Sequence, residues 1–523
     1  MAIPHYLTLP TGQMRVWRAG EGPAVVVLPG LTEAAATAAD RVAAVLPGHA
    51  ITALEWPGIG GSAGLQVSTI RQVSALIGAA IDALGLGDAP GIAIDLAAPV
   101  ARVLASKGQA WLLIQEPRAK AWAGRGFAPG DLTPRGDGTH LTALWAHLRN
   151  SCLLDPADPV RPDFTGGPLA TPEELDLAVI SASVDGPAYA RLWDILAGAV
   201  VEQDGDLAPV RTATMAEAVA AIGALPNRPA AGSLPATAPL PSGIWCDHAD
   251  IANARLHVRH CGTAVRPLMI LQSAPGSTAP LAEVIEGLGQ IRHVVAPDYP
   301  GNGDSSKPDG KVDIASLARS MLAAADAMGF DELDLWGTHT GAVVALEMAL
   351  IAPERIGRMV MEAPPILPAA FTADILDNYL PPIRPDRWGL HLQQAWNMRR
   401  DMFLFWPWYN HQRAALRPLG LPDARFLHDW TIGLLKSGRT YDRSYRAAFE
   451  YHTAERLPHL TVPALITAGP ADMLAEGLAK LRDIAPACVE VASTPATVWY
   501  PNQPAEARAE TIAIYTRFLD GAA

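Results

Sequence analysis

One histidine stands where a folded chain can put an imidazole to work. It lies in the run Asp334-Leu335-Trp336-Gly337-Thr338-His339-Thr340-Gly341-Ala342-Val343-Val344-Ala345. The apolar stretch before it reads as a strand and the Ala-rich stretch after it as a helix. Small residues two positions to either side flank a sharp strand-to-helix turn, which lifts one side chain out of the sheet. An imidazole lifted there meets the positive end of a helix dipole, which disfavours the imidazolium. A neutral imidazole accepts protons, so His339 reads as a general base working near pH 7. Such a base needs an orienting partner. A carboxylate in that role pulls the proton affinity of the ring back up.

The elements that must position this turn occur twice. Val25–Thr32 recurs as Met269–Thr278, and Glu55-Trp56-Pro57-Gly58-Ile59-Gly60-Gly61-Ser62 recurs as Asp298-Tyr299-Pro300-Gly301-Asn302-Gly303-Asp304-Ser305. Ala93-Ile94-Asp95-Leu96-Ala97 matches Gly337–Gly341, and Ile114-Gln115-Glu116-Pro117 matches Val360–Pro364. His140, Trp145 and Arg149 match His391, Trp396 and Arg400; Gly186, Tyr189 and Arg191 match Gly438, Tyr441 and Arg443. Six matches in one order, at an offset of roughly 250 residues, mark two copies of one α/β unit. Pro226–Gly243, rich in Pro, Ala and Gly, reads as the linker between domains 1–225 and 244–523. Each copy has a helical insertion, at about 130–200 in the first and about 366–455 in the second. After its insertion the second copy continues through an apolar strand, Val462–Gly469, and a final helix, Ala505–Phe518. The first copy has far less chain there and reads as truncated.

With these elements in view, the second half resembles the α/β-hydrolase superfamily over nearly its whole length, and the first half over about its first 200 residues. Gln272-Ser273-Ala274-Pro275-Gly276-Ser277 is similar to the family's oxyanion loop, Asp298–Ser305 to its Asp-x-Pro-Gly-x-Gly-x-Ser turn, and Gly337–Gly341 to its nucleophile elbow. The resemblance implies two doubly wound α/β sheets in tandem, a fused pseudo-dimer, each with a helical cap. It also implies oxyanion donors at the backbone N–H groups of Thr340 and of Ser273 or Ala274. Gly469-Pro470-Ala471-Asp472 looks like the acid-bearing loop, and Glu362 stands where some members place their acid. The departures are as telling. His339 takes the place of the nucleophile, and Thr497, before Asn502-Gln503-Pro504, takes the place of the catalytic histidine. A Ser–His–Asp mechanism needs a hydroxyl and an imidazole in hydrogen-bond reach, and this pattern lacks both.

The second insertion is rich in aromatics, Phe403, Phe405, Trp406, Trp408, Tyr409 and Trp430. A cap of this kind lines the substrate pocket, which points to Trp406, Trp408 and Tyr409 as apolar contacts. Arg399, Arg400, His391 and His411 are polar candidates for a carboxylate or phenolate. Asp95, at the first copy's turn, and Glu116 read as structural, as do His257 and His260 on an early strand.

Bulk properties bound the rest. Half of the 523 residues are apolar, enough for more than one large core. A net charge of −13 argues against nucleic acid and anionic membranes as partners. Four widely spaced cysteines form no CxxC pair. No metal-spaced cluster, Gly-x-Gly-x-x-Gly run or P-loop occurs, so no metal and no cofactor is expected. Met1–Tyr6 lacks the pattern of a signal peptide, and the expected location is cytoplasmic. The expected partner is a small-molecule substrate, with homo-oligomerisation left open. The reading is an enzyme on a small apolar or aromatic carbonyl or ester compound, using non-covalent acid–base chemistry at His339, as lyase or hydrolase. The alternatives are a non-catalytic small-molecule binder and a cofactor-independent oxygenase.

Overall fold

Short aliphatic runs such as Ala24–Leu28 and Pro267–Leu271 are too brief for helices and too apolar for half-buried strands. They form the central parallel strands of two sheets, buried on both faces. The computed structural model describes residues 1–114, 128–153, 170–202, 210–225, 230–264 and 266–521.

The first sheet is built from β1 (Ile3–Leu9), β2 (Gly12–Ala19), β3 (Ala24–Leu28), β4 (Ala50–Leu54), β5 (Gly91–Ile94), β6 (Trp111–Ile114) and β7 (Arg211–Ala213), in the order β1-β2-β4-β3-β5-β6-β7. The second is built from β8 (Trp245–Ile251), β9 (Ala254–Cys261), β10 (Pro267–Leu271), β11 (His293–Pro297), β12 (Leu333–Thr338), β13 (Ile356–Glu362), β14 (Ala464–Ala468) and β15 (Val489–Ser493). From β8 outward its order is β8-β9-β11-β10-β12-β13-β14-β15, the same winding with one more strand. In both sheets an antiparallel hairpin leads and the remaining strands run parallel. The chain thus carries two α/β units in tandem, and among the described residues the first stops one strand earlier.

Unit 1 comprises Met1–Arg135, Thr139–Pro239 and Pro385–Gln393; unit 2 comprises Gly136–Gly138, Leu240–Arg384 and Gln394–Ala523. Residues 385–393, read from sequence as part of the second cap, therefore pack with unit 1. Close packing on glycine explains their place: a Cβ on Gly389 would lie 2.6 Å from the Trp145 ring. Within unit 2, a Cβ on Gly138 would lie 2.5 Å from Trp396.

The core of unit 2 gathers on the helix Thr340–Ile351, whose first ten residues are all buried. Met269, Leu271, Leu335 and Met361 from the sheet join its Val343, Leu346 and Met348. Each such side chain contributes roughly 1.5–3 kcal/mol on burial, which fixes the helix start and the residue before it. Among the described residues no helix is long and apolar enough to cross a membrane.

Candidate functional site

The turn at His339 is made by what its neighbours lack. A Cβ on Gly337 would fall 2.2 Å from the Gly341 carbonyl oxygen, and one on Gly341 would fall 1.9 Å from that of Leu271. Only glycine lets β12, the turn and the helix approach so closely. Between them His339 takes φ 49° and ψ −109°, a region that L-residues avoid. Its backbone N–H donates to the Glu362 carbonyl at 2.9 Å, which ties the turn to the end of β13.

His339 is 5 % exposed. Its Nε2 lies 3.1 Å from each carboxylate oxygen of Asp472, in the loop after β14. Asp472 also accepts from the Leu474 backbone N–H at 2.9 Å and the Thr497 hydroxyl at 3.3 Å. Burial pushes its pKa up, but the charge and hydrogen bond of His339, the Leu474 N–H and the Arg417 charge outweigh it, so it sits below the usual carboxylate range. Thr497 thus rests on the same carboxylate that His339 reaches directly from the turn.

Glu362, the other candidate acid, has no hydrogen bond to the His339 ring among the described residues. Its oxygens take the Tyr515 hydroxyl and the Trp499 indole N–H, each at 2.6 Å. Burial, helped by the Asp472 charge, pushes it up to about 7 against those two donors and Thr338. The Trp499 ring that it holds stands edge-on to the imidazole at 5.2 Å between centroids. Tyr500 packs edge-on from another side at 6.3 Å.

Two arginines complete the surroundings. Arg399 is 4 % exposed and Arg417 8 % exposed. Arg399 donates to the Pro275 carbonyl, on the loop of Ser273 and Ala274, and lies 5.3 Å above Trp430. Arg417 donates to the Met402 carbonyl at 2.6 Å and lies 4.7 Å above Tyr500. Burial lowers Arg399 to about 10. Neither has an ion-pair partner among the described residues, and Arg399 Nε and both Nε and Nη2 of Arg417 have no hydrogen-bond partner. The Trp430 indole N–H and the Thr340 hydroxyl are likewise buried without one. Buried polar groups are nearly always paired, so these atoms are open to a polar ligand or to water.

The remaining sequence candidates fall as follows. Thr340 opens the helix, where backbone N–H groups lack intrahelical acceptors. Ser273 and Ala274 are buried on the loop after β10. Trp406 packs on Phe371 and Tyr379, the Trp408 indole donates to the Tyr379 carbonyl at 3.0 Å, and the Tyr409 hydroxyl meets Asp374. These three are half-buried and packed within the cap, while Trp499 and Tyr500 stand against His339 with Trp430 behind Trp499. Arg400 pairs with Asp401 at 2.9 Å. His391 belongs to unit 1, bonded to Asp176 at 2.8 Å and edge-on to Trp145. Asp95 sits on the equivalent turn of unit 1, also at φ 49°. Glu116 lies outside the described residues. Sequence reasoning missed Arg417; its one signal was a lone cation in the apolar run Leu416-Arg417-Pro418-Leu419.

With this geometry in place, comparison with known proteins is informative. A family model described as the alpha/beta hydrolase fold matches residues 266–389. A 2-hydroxymuconate semialdehyde hydrolase from Pseudomonas putida is 31% identical over 156 residues, 29% of this chain and 52% of that protein. A 2-hydroxy-6-oxo-6-phenylhexa-2,4-dienoate hydrolase from Burkholderia cepacia is 28% identical over 120 residues, 22% of this chain and 41% of that protein. The chain spans about half the length of these relatives or less. Among solved structures, epoxide hydrolase A from Mycobacterium thermoresistibile is 22% identical, with a TM-score of 0.41, over 53% of this chain and 99% of that one.

Proposed function

On an α/β-hydrolase fold whose elbow carries an imidazole, we propose that unit 2 is an enzyme working by acid–base chemistry at His339, without a covalent acyl intermediate. The observation that carries this reading is the contact of 3.1 Å from His339 Nε2 to both oxygens of Asp472. A carboxylate in that position keeps the proton on Nε2, so the Nδ1 lone pair is the base. Nδ1 takes a proton from water or from a carbon beside a carbonyl. The imidazolium that results is stabilised by Asp472, and the same proton returns to the leaving atom. The backbone N–H groups of Thr340 and of Ser273 or Ala274 hold the oxyanion, worth roughly 3–4 kcal/mol for each good donor. Arg399 and Arg417 hold an anionic group on the substrate, and Trp430, Trp499 and Tyr500 cover its apolar part. The substrate class is then a small carbonyl or ester compound bearing a carboxylate. The names of the relatives support this, because they hydrolyse a semialdehyde and a dienoate. We also read the two units as copies of one ancestral unit, with the chemistry kept in the second.

The test is a panel of aromatic and dienoic keto acids and esters followed by ultraviolet absorption. Wild type turns over at least one member, and His339→Ala and Asp472→Asn abolish that turnover while the circular dichroism stays unchanged. Turnover that survives in His339→Ala sinks the mechanism. Binding by thermal shift with no turnover across the panel supports a binder instead.

A further inference from the structure

The edge hairpin of unit 2 carries a second group of chemistry-bearing side chains that the His339 site does not use. The register of β8 and β9 pairs Cys246 with Arg259 and His248 with His257, so all four share one face of the hairpin. His257 Nδ1 lies 3.3 Å from Asp298 Oδ2, in the loop after β11. Cys246 stands diagonally across the ladder from the same imidazole and interacts with it. His257 and Asp298 are fully buried, whereas Cys246 is half-buried. A thiol, an imidazole and a carboxylate in that order make a cysteine nucleophilic, because the ring takes the thiol proton and the carboxylate holds the charged ring.

Unit 1 shows what the fold itself requires here. The backbone N–H of Arg15 donates to the Ser62 hydroxyl at 2.9 Å, as that of His257 does to Ser305 at 2.9 Å. At the His257 position unit 1 has Arg15, closed on Glu55 by two bonds of 3.0 and 2.8 Å. At the Cys246 position it has Pro4. A saturated ion pair is therefore enough to hold this corner together, and the thiol and imidazole of unit 2 go beyond that need.

We propose that Cys246, His257 and Asp298 form a nucleophilic cysteine site, separate from His339, that is modified by small α,β-unsaturated carbonyl compounds. The sulfur adds to the β-carbon and the C=C pair moves into an enolate. The His257 imidazolium then protonates the α-carbon. Nothing leaves and nothing is oxidised.

The charged surroundings fit this chemistry. Acting on the thiol are His257 and Arg259 from β9 and Asp304 from the loop after β11, with His248 on the same face of its own strand; Asp298 lies behind His257, and Lys307 donates to the Gly303 and Ser305 carbonyls. Lys436 reaches Asp304 at 2.6 Å from the helix Ala424–Ser437. Burial pushes the Cys246 thiol up and Asp304 adds to that, but the His257 charge and hydrogen bond and the Arg259 charge carry it below its ordinary range. Burial and Arg259 push His257 down, yet Cys246 and Asp298 leave it raised. His257, Asp298 and Asp304 also bring donor atoms within 4.8 Å of one another. A cation is disfavoured there, because Arg259 Nη1 already lies 3.4 Å from His257 Nδ1 and 3.5 Å from Asp298 Oδ1.

The full-length protein is treated with limiting iodoacetamide and, separately, N-ethylmaleimide at steps from about pH 5 to pH 9, and the modified thiol is located by peptide mass mapping. Cys246 is expected to react before Cys152, Cys261 and Cys488. Its half-maximal rate should fall at least about one pH unit below the ordinary thiol value of about 8.5. His257→Asn should slow it at least about tenfold at pH 7 and return its profile to the ordinary range. Should that variant fail to fold, the wild-type profile decides alone. The proposal is overturned if Cys246 reacts no faster than Cys488, or if its rate climbs only through the ordinary thiol range. Activity at His339 does not enter this test.

Discussion

Replacing Glu362 with glutamine should reverse the order of stability between wild type and variant as pH rises. The carboxyl is wholly buried at the end of β13, held by Tyr515 and Trp499. Burial, then the nearby Asp472 charge, lifts it to about 7 from an ordinary 4.5. The folded state therefore prefers the protonated acid. Its contribution is fully present below about pH 4.5 and is lost as pH climbs through about 7. A gap of about 2.5 units, at about 1.36 kcal/mol each, comes to roughly 3 kcal/mol. In Glu362→Gln that loss is absent. The amide does turn an N–H toward either the Trp499 indole or the Tyr515 hydroxyl, a fixed cost of about 1–3 kcal/mol that does not vary with pH. The variant should thus be the less stable protein at about pH 4.5 and gain roughly 3 kcal/mol on wild type by about pH 8. Difference infrared spectroscopy reads the cause directly. Wild type should show a carboxylic-acid carbonyl band, missing in the variant, that fades through about pH 7. Denaturation midpoints at the same pH steps read the consequence. A band that fades near pH 4.5, or midpoints that stay parallel across the range, would refute the reasoning.

Other expectations are as specific. His339→Ala should lower kcat on the substrate found above by about 10²–10⁴-fold, the usual worth of a positioned base. His339→Ser should show no ester hydrolysis and no fluorophosphonate labelling in mass spectra, because Thr497 offers the new hydroxyl no imidazole. Arg417→Met should raise KM for a carboxylate substrate with kcat little changed. The loss of about 1.5–3 kcal/mol, roughly 10–150-fold, should be absent for the neutral amide analogue in the same kinetic assay. Gly341→Ala, whose Cβ would land 1.9 Å from the Leu271 carbonyl oxygen, should destabilise unit 2 by several kcal/mol. Ala342→Gly beside it should cost about 1 kcal/mol in the same thermal melt.

The two α/β units and the strand-to-helix turn were legible because local rules enforce them; the order of strands within each sheet was not read. Gly337 and Gly341 announce a close approach of backbones, and short aliphatic runs at matching intervals announce parallel strands. The partner of His339 was not legible. Glu362 ends β13 and Asp472 follows the adjacent β14, and nothing in their spacing says that one meets the indole of Trp499 while the other meets the imidazole. The cap was ambiguous in a related way. Trp406, Trp408 and Tyr409 are aromatic and clustered, which fits a pocket wall and a cap interior equally well; all three pack on Tyr379 and stay half-buried. The division at Pro226–Gly243 could not foresee that residues 385–393 pack with unit 1, because the contact between Gly389 and Trp145 spans more than two hundred positions.

Asp95 and His339 ride on the same bend, each at φ 49°, although one side chain is an acid and the other a base. The strain of that bend, about 1–3 kcal/mol, is set by the path from strand to helix and not by the residue that occupies it. Each unit already meets that cost from its own packing, so exchanging one unbranched side chain for another adds no new backbone penalty. The bend is therefore a socket. A single codon change replaces the functional group at the head of the helix without adding backbone strain; what an exchange at position 339 does cost is the partner of the buried Asp472 carboxylate. A saturation library there should therefore sort its members by whether the new side chain still serves that carboxylate.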